Sequence, residues 1–479
     1  MTDHDRRSFL SLAGLGGGGL ALTAGGARPG LDLGLAGRAA RSAAELQVAI
    51  SDNPIDDTHC HPLTFDDAET TPDDFIERLA LSAFPLARYF PAGVHRSWRE
   101  GDAATRSRLD AEHDISTVRR TVLDQARESV FVRFLTKELA GFLGSEPTLE
   151  AVIEARNDRG RDYAAYLAEL FADARIENAM LDMGYREGMD ADGIGRFERA
   201  IAPTTARRIL RVDTILWELL AGDAGFDELE AEFMRRVEDG LDGNGNLGAP
   251  SYGMKSYLLP RLGLIKPLFD RRPARDSWNR FRYGRASVPA ANGPDRDEYW
   301  DAQRDILRYL HSLALEACRE RGMPMQFHAG DGEAPLGIMR RQDPFLMEEM
   351  VRFERDGVMR LPKVILIHAG YPLVGRAAWL THLYANCHFE LSLATPLIHH
   401  GLLRMYLEVM EVVPLSKILF GSDAYHLPEL YWLAARWGRQ FLAQALAVYL
   451  DGGILDEAEA LDAARMILHG NNRRLYGLT

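Results

Sequence analysis

The stretch Asp56-Asp57-Thr58-His59-Cys60-His61 decides how the rest of this 479-residue chain is read. It follows the loop-forming Ser51-Asp52-Asn53-Pro54 and has the character of a β-strand reaching its end, with residues 55–59 as the first strand. Side chains two apart on a strand share a side, so His59 and His61 can aim both imidazoles at one point while Cys60 points the other way. That spacing suits metal ligation, although a lone His-x-His also arises from ordinary packing. Three residues downstream strengthen the metal reading: His328, His368 and Asp423 each close a short apolar run of their own.

Those runs belong to a rhythm. Residues 176–184, 206–213, 252–257, 324–328, 363–368, 387–393 and 417–423 read as strands, the later ones being apolar runs bounded by Gly or Pro and separated by helix-length segments. Such alternation implies a parallel sheet covered on both faces. With residues 55–59 the count reaches eight, which predicts an α/β fold, a closed (β/α)₈ TIM barrel spanning residues 51–479 with its site at the C-terminal ends of the strands. Between the first two strands, residues 66–175 show apolar spacings of three and four, as in Tyr163-Ala164-Ala165-Tyr166-Leu167. This predicts a helical insertion placed over the site as a lid or an oligomer surface. Its His95 and His113 read as solvated or packed side chains. Residues 31–50 read as a linker passing into a short helix, residues 270–294 as a long Arg/Pro/Asn-rich loop, and residues 297–321 as an amphipathic helix.

Composition narrows the class. Hydrophobic residues make up 46% and charged residues 26%, enough for a large core, and the net charge of −14 leaves no basic excess to neutralise nucleic-acid phosphates. The three cysteines, Cys60, Cys318 and Cys387, are too few and too scattered for a disulfide scaffold. Near the start, Asp5-Arg6-Arg7-Ser8-Phe9-Leu10 precedes a weakly apolar, Gly-rich segment, residues 12–26. Residues 1–30 are therefore expected to be a twin-arginine signal that engages the export machinery and sends a folded protein to the periplasm or beyond. A flexible basic start on a cytosolic protein is the alternative. The segment is too short and too rich in glycine for stable membrane insertion.

A barrel would gather His59, His61, His328, His368 and Asp423 at one mouth despite their separation in sequence. Imidazoles with one carboxylate suit zinc, iron or manganese better than magnesium or calcium, which prefer oxygen donors. The chain has neither a Gly-rich phosphate fingerprint nor a Gly-x-Ser-x-Gly elbow.

With these motifs the chain resembles the amidohydrolase superfamily, in its amidohydrolase-related (amidohydrolase 2) branch. The resemblance is carried by Asp57-Thr58-His59-Cys60-His61, Gln326-Phe327-His328-Ala329-Gly330, Ile367-His368-Ala369-Gly370, Phe420-Gly421-Ser422-Asp423 and the closing Ile467-Leu468-His469-Gly470-Asn471-Asn472-Arg473-Arg474-Leu475-Tyr476-Gly477. It runs from residue 55 to the C-terminus, much of the insertion excepted. Lys255-Ser256-Tyr257-Leu258-Leu259-Pro260-Arg261-Leu262-Gly263-Leu264 and Tyr371-Pro372-Leu373 are similar to the amidohydrolase domain fused to glutamine-synthetase-like proteins, although no such partner domain is present in this sequence.

The resemblance implies roles. His59, His61, His328 and Asp423 would hold a divalent metal, most simply zinc. Asp423 would align a metal-acidified water, take its proton and pass it to the leaving group. His368 would polarise the substrate carbonyl or ligate a second ion. Lys255 is ambiguous: carboxylated, it would bridge two ions, with His328 and His368 on the second; otherwise it and Arg261 would bind a substrate carboxylate. A single ion is the favoured arrangement, and for Arg261 a structural ion pair is the competing role. His426, Glu429, His399, His400, Asp331 and Glu333 lie on loops near the strand ends, where they would contact substrate or shape the loop. His388 would point away, and His469 would belong to the terminal helix.

The leading functional expectation is a metal-dependent hydrolase acting on an amide or other C–N bond of a small carboxylated substrate, either as a monomer or as a homo-oligomer. A metal-dependent decarboxylase of an aromatic or unsaturated acid is the runner-up, and a non-catalytic exported binding protein the third reading.

Overall fold

The computed structural model describes residues 33–65, 68–83, 86–91, 93–184, 189–245, 248–263, 265–289, 296–330 and 337–478. Its centre is an eight-stranded parallel sheet. The strands are β1 (Ile55–Cys60), β2 (Ile176–Asp182), β3 (Thr205–Arg211), β4 (Ser251–Ser256), β5 (Pro324–His328), β6 (Lys363–Ile367), β7 (Cys387–Glu390) and β8 (Ile418–Leu419). They neighbour one another in chain order, and backbone hydrogen bonds from Thr58 N to Phe420 O, Asp423 N to His59 O and His61 N to Ala424 O join the last strand to the first. The sheet is thus a barrel, as its sequence rhythm predicts. Continuous burial explains the apolar runs: every residue of β1 and β5 is buried, because one face meets the barrel interior and the other the surrounding helices.

Closure is reinforced by side chains. Asp57 accepts the Ser422 backbone N–H at 2.9 Å and its hydroxyl at 2.5 Å, tying β1 to the chain after β8. The Cys60 thiol faces Met180 O on β2. All three cysteines are buried and free.

Seven α-helices lie between β1 and β2 among the described residues, from Pro72–Ala83 to Tyr163–Ala174. Capping residues delimit many of them: the side chains of Asp102, Ser129, Thr148 and Asp162 each accept a backbone N–H from the first turn that follows. These helices pack onto the 23-residue helix Glu429–Asp451 that follows β8. Phe134 stacks on Trp437 with centroids 4.9 Å apart, and Trp432 Nε1 donates to Asp173 at 2.6 Å. His95 is buried, with its Nε2 3.1 Å from Glu77.

Two stretches differ from the sequence reading. Residues 31–50, expected as a linker passing into a short helix, are mostly the 18-residue helix Leu33–Ile50, which packs along Glu429–Asp451 and bonds through Ser42 to Asp451. The expected loop, residues 270–294, contains the helix Arg271–Gly284. Its buried Ala274, Ser277, Trp278 and Phe281 fall three and four apart, while its arginines bond to neighbours such as Asp227 and Glu230. Arginine density hid an amphipathic helix. Residues 1–30, expected to be a twin-arginine signal, lie outside the described residues, and no helix among the described residues is long and apolar enough to cross a membrane.

Candidate metal centre

His59 and His61 project from the end of β1 toward Asp423, which stands just beyond β8. Asp423 Oδ1 lies 3.2 Å from His59 Nε2 and 3.2 Å from His61 Nε2. One ligand atom from each of the three residues fits within 4.8 Å of the others, and all three side chains are buried. His368 adjoins the trio, with Nδ1 3.7 Å from Asp423 Oδ2 and its ring 5.1 Å from that of His59. His328, expected as a ligand, stands one ring further out. Its imidazole packs 4.3 Å from His368 and 4.5 Å from Tyr257.

The local backbone is unusual at both functional positions past the strands. Asp423 has φ 53 and His368 φ 71, left-handed conformations that cost a non-glycine residue about 1–3 kcal/mol. Hydrogen bonds hold them there: Asp423 N donates to His59 O, and His368 N donates to Glu390 at 3.2 Å. The repeated His-Ala-Gly motif has a steric origin. Gly330, at φ +78, lies so near the second motif that a Cβ would approach Gly370 C and Tyr371 O to 2.4 Å.

One amide fixes the chemistry of His59. Gln326 Nε2 donates to Thr58 O at 2.8 Å, an atom that can only accept, and to the Tyr476 hydroxyl at 2.9 Å. Its Oε1 must therefore be the atom 2.8 Å from His59 Nδ1, so Nδ1 carries the proton. His59 Nε2 is left with a bare lone pair, buried and without a well-aligned hydrogen bond, opposite a carboxylate oxygen. Two acceptors facing each other at 3.2 Å are what a cation between them would satisfy, and imidazole nitrogen with carboxylate oxygen is a zinc-type donor set. The residues fit a metal.

Electrostatics agree. Burial lowers the His59 pKa against the pull of Asp423, and lowers that of His368 well below its ordinary value, so both rings are neutral as ligation requires. Behind His368, Ser392 Oγ lies 3.0 Å from Nδ1 and 2.6 Å from Glu390 Oε2. Burial raises the Glu390 pKa well above its ordinary value and pushes that of Asp57 up to about 7.

A second buried cluster occupies the ends of β2, β3 and β4. Arg211 bonds to Asp182 and Asp213, and Lys255 Nζ lies 3.7 Å from Asp182. Arg261 Nη1 donates to Asp213 at 2.8 Å while its guanidinium sits between Trp217 and Trp300. Burial opposes ionisation of both carboxyls, but Arg211 and Lys255 at Asp182, and Arg261 and Arg211 at Asp213, lower both pKa values.

The loop candidates separate. His426 packs against Tyr425, whose ring adjoins His61, and burial pushes its pKa down to about 3. Glu429 is bonded to Arg156 of the insertion, and His399 and His400 pack against Phe134. His388 is held at the start of β7, and His469 lies in the short π-helix Met466–Gly470. Asp331 and Glu333 lie outside the described residues. Sequence reasoning missed Gln326, Ser392, Glu390, Arg211 and Asp213. Gln326 alone sat inside a quoted motif, two residues before His328 and therefore on the same side of β5.

The fold is an α/β barrel whose strand ends carry a candidate His/Asp metal site. A family model described as amidohydrolase matches residues 56–478, and the chain belongs to that family. Protein fluG of Emericella nidulans is 23% identical over 407 residues, 80% of this chain; the chain spans only 45% of that relative's length. A Lactobacillus casei structure described as a metal-dependent hydrolase superimposes with a TM-score of 0.65 at 22% identity, covering 90% of this chain and 97% of that one. Uronate isomerase from Thermotoga maritima gives 0.58 at 14% identity, covering 91% and 97%. At these identities the structural likenesses show the fold.

Proposed function

We propose that this chain is a metal-dependent hydrolase that cleaves an amide or other C–N bond of a small carboxylated substrate, with one divalent ion, zinc in the simplest case. The observation that carries this reading is the approach of His59 Nε2, its proton fixed on the other nitrogen, to an Asp423 oxygen that also faces His61 Nε2. A bound ion supplies Lewis acidity and makes water acidic enough to attack near neutral pH. The remaining work falls to side chains. Asp423, ionised and flanked by His368, takes the proton of the attacking water and returns it to the leaving nitrogen. His368, steadied by Ser392, lies where it can orient the substrate carbonyl. Arg211 and Lys255, buried at the strand ends beside Asp182, are cations of the kind that pair with carboxylates, and they support a carboxylated substrate. Lys255 in an ion pair with Asp182 also supports one ion rather than a lysine-bridged pair. We assign Arg261 to the positioning of Asp213.

The test is metal analysis of the purified protein, followed by a panel of N-acyl amino acids and related amides scored for amine release, with aromatic and unsaturated acids scored for carbon dioxide. Stoichiometric metal and amine release are expected; an active protein without metal would sink the mechanism, and carbon dioxide release alone would replace hydrolysis with decarboxylation. Export is proposed from Arg6 and Arg7, and replacing both with lysine should retain the protein in the cytoplasm.

A further inference from the structure

The closing motif reaches every strand that carries a residue of the metal trio. Asn472 Nδ2 donates to Thr58 Oγ1 at 2.8 Å, and Arg473 pairs with Asp56 at 3.0 Å, so β1 is held on either side of Asp57. Asn471 Nδ2 donates to Leu415 O and Ile418 O, and Phe420 N donates to Ile467 O, which fixes β8 just before Asp423. The Tyr476 hydroxyl takes a hydrogen bond from Gln326 on β5, and its side chain packs against the cluster formed by Ile365, Ile367, Leu419 and Leu475. Gln326 in turn holds the proton on His59 Nδ1.

We infer that the C-terminal segment, residues 471–476, is a positioning element of the metal centre, acting through a relay from Tyr476 to Gln326 to His59. The inference rests on the metal reading above and adds a requirement to it. The amide can present its oxygen to His59 only in one orientation: Thr58 O, which can only accept, imposes it, and the Tyr476 hydroxyl takes the second N–H of the same amide nitrogen and holds it in place. If Gln326 turned over, His59 would lose its acceptor and its lone pair would no longer be directed at the ion. Partners of this kind, one bond removed from a metal, typically carry a 10- to 100-fold share of affinity. Linkage makes the effect reciprocal, so metal binding must also tighten the C-terminal segment.

The experiment uses the full-length protein and zinc or cobalt ions, with affinity read by competition against a chromophoric chelator. Gln326→Leu should weaken zinc binding by roughly 10- to 100-fold, and Tyr476→Phe by about tenfold, the low end of that range. Gln326→Glu, which keeps an acceptor for His59 Nδ1, should recover most of the affinity even if the protein is less stable. The visible spectrum of the cobalt form should change in Gln326→Leu and Tyr476→Phe. Hydrogen exchange on the wild-type protein guards against a variant that fails to fold: backbone exchange in residues 471–478 should slow when zinc is added. Unchanged exchange, or variants that bind zinc as tightly as the wild type with the same cobalt spectrum, would overturn the inference and leave the metal reading standing. A wild-type protein that takes up neither ion defeats the metal reading itself.

Discussion

Arg156 and Glu429, 273 residues apart in the chain, form an ion pair at 2.7 Å in which neither side chain reaches solvent. The Tyr166 hydroxyl donates to the same Glu429 oxygen at 3.0 Å, and Arg156 also donates to Ala68 O. The inserted helices are therefore bolted to the start of the helix that follows Asp423. Removing one partner strands a buried charge, so Glu429→Gln should cost about 3–5 kcal/mol of stability, and replacing both partners with apolar residues should cost less. Urea unfolding of the two variants makes the comparison; equal midpoints for Glu429→Gln and the wild type would show that the pair holds nothing.

Gly421 has no room for a side chain. A Cβ there would lie 1.6 Å from Glu390 Oε1, and Glu390 anchors both Ser392 and the backbone of His368. Gly421→Ala should destabilise the fold by about 1–3 kcal/mol or more through overpacking. It should also displace His368 enough to lower kcat more than KM, measurable by steady-state kinetics once a substrate is in hand.

Acidification should destabilise the protein in part through His388. Burial pushes its pKa from 6.5 down to about 4, so the folded state keeps it neutral where the unfolded chain protonates it. Its contribution is fully present above pH 6.5 and is lost as pH falls toward 4. In that window stability should rise with pH by about 1.4 kcal/mol per unit for this one proton, and His388→Asn should remove that share of the slope. The readout is unfolding free energy against pH; an identical slope in the variant contradicts the assignment.

Stripping the metal should lower stability, and adding it back should restore it. At an ion concentration 100 times the Kd the gain is about 2.7 kcal/mol. Asp423→Asn should keep the fold by circular dichroism and lose about 10²–10⁴ in kcat, the range for a missing general base. Full activity in that variant would exclude Asp423 from proton transfer.

Much of this was legible in the sequence because β-strands buried on both faces write themselves as apolar runs. All eight strands match sequence-read segments, and His59, His61, His368 and Asp423 stand together as strand-end position implies. What stayed hidden depends on partners distant in sequence. Gln326 is an ordinary amide until Thr58, Tyr476 and His59 surround it, and Glu429 looked like a loop acid until Arg156 claimed it. Arg271–Gly284 was misread for a local reason: its polar face is so rich in arginine that the apolar stripe at Ala274, Trp278 and Phe281 was overlooked.

The joining of the last strand to the first sets a clock. His61 and Asp423 are 362 residues apart, so a ribosome adding about 5–20 residues per second needs roughly 20 to 70 seconds to make the second after the first. Throughout that interval the nascent chain holds two imidazoles and no carboxylate to complete the trio. Capture of an ion by the proposed trio would thus wait until Asp423 has been made, and a product truncated before the eighth strand would forfeit the ion along with the barrel.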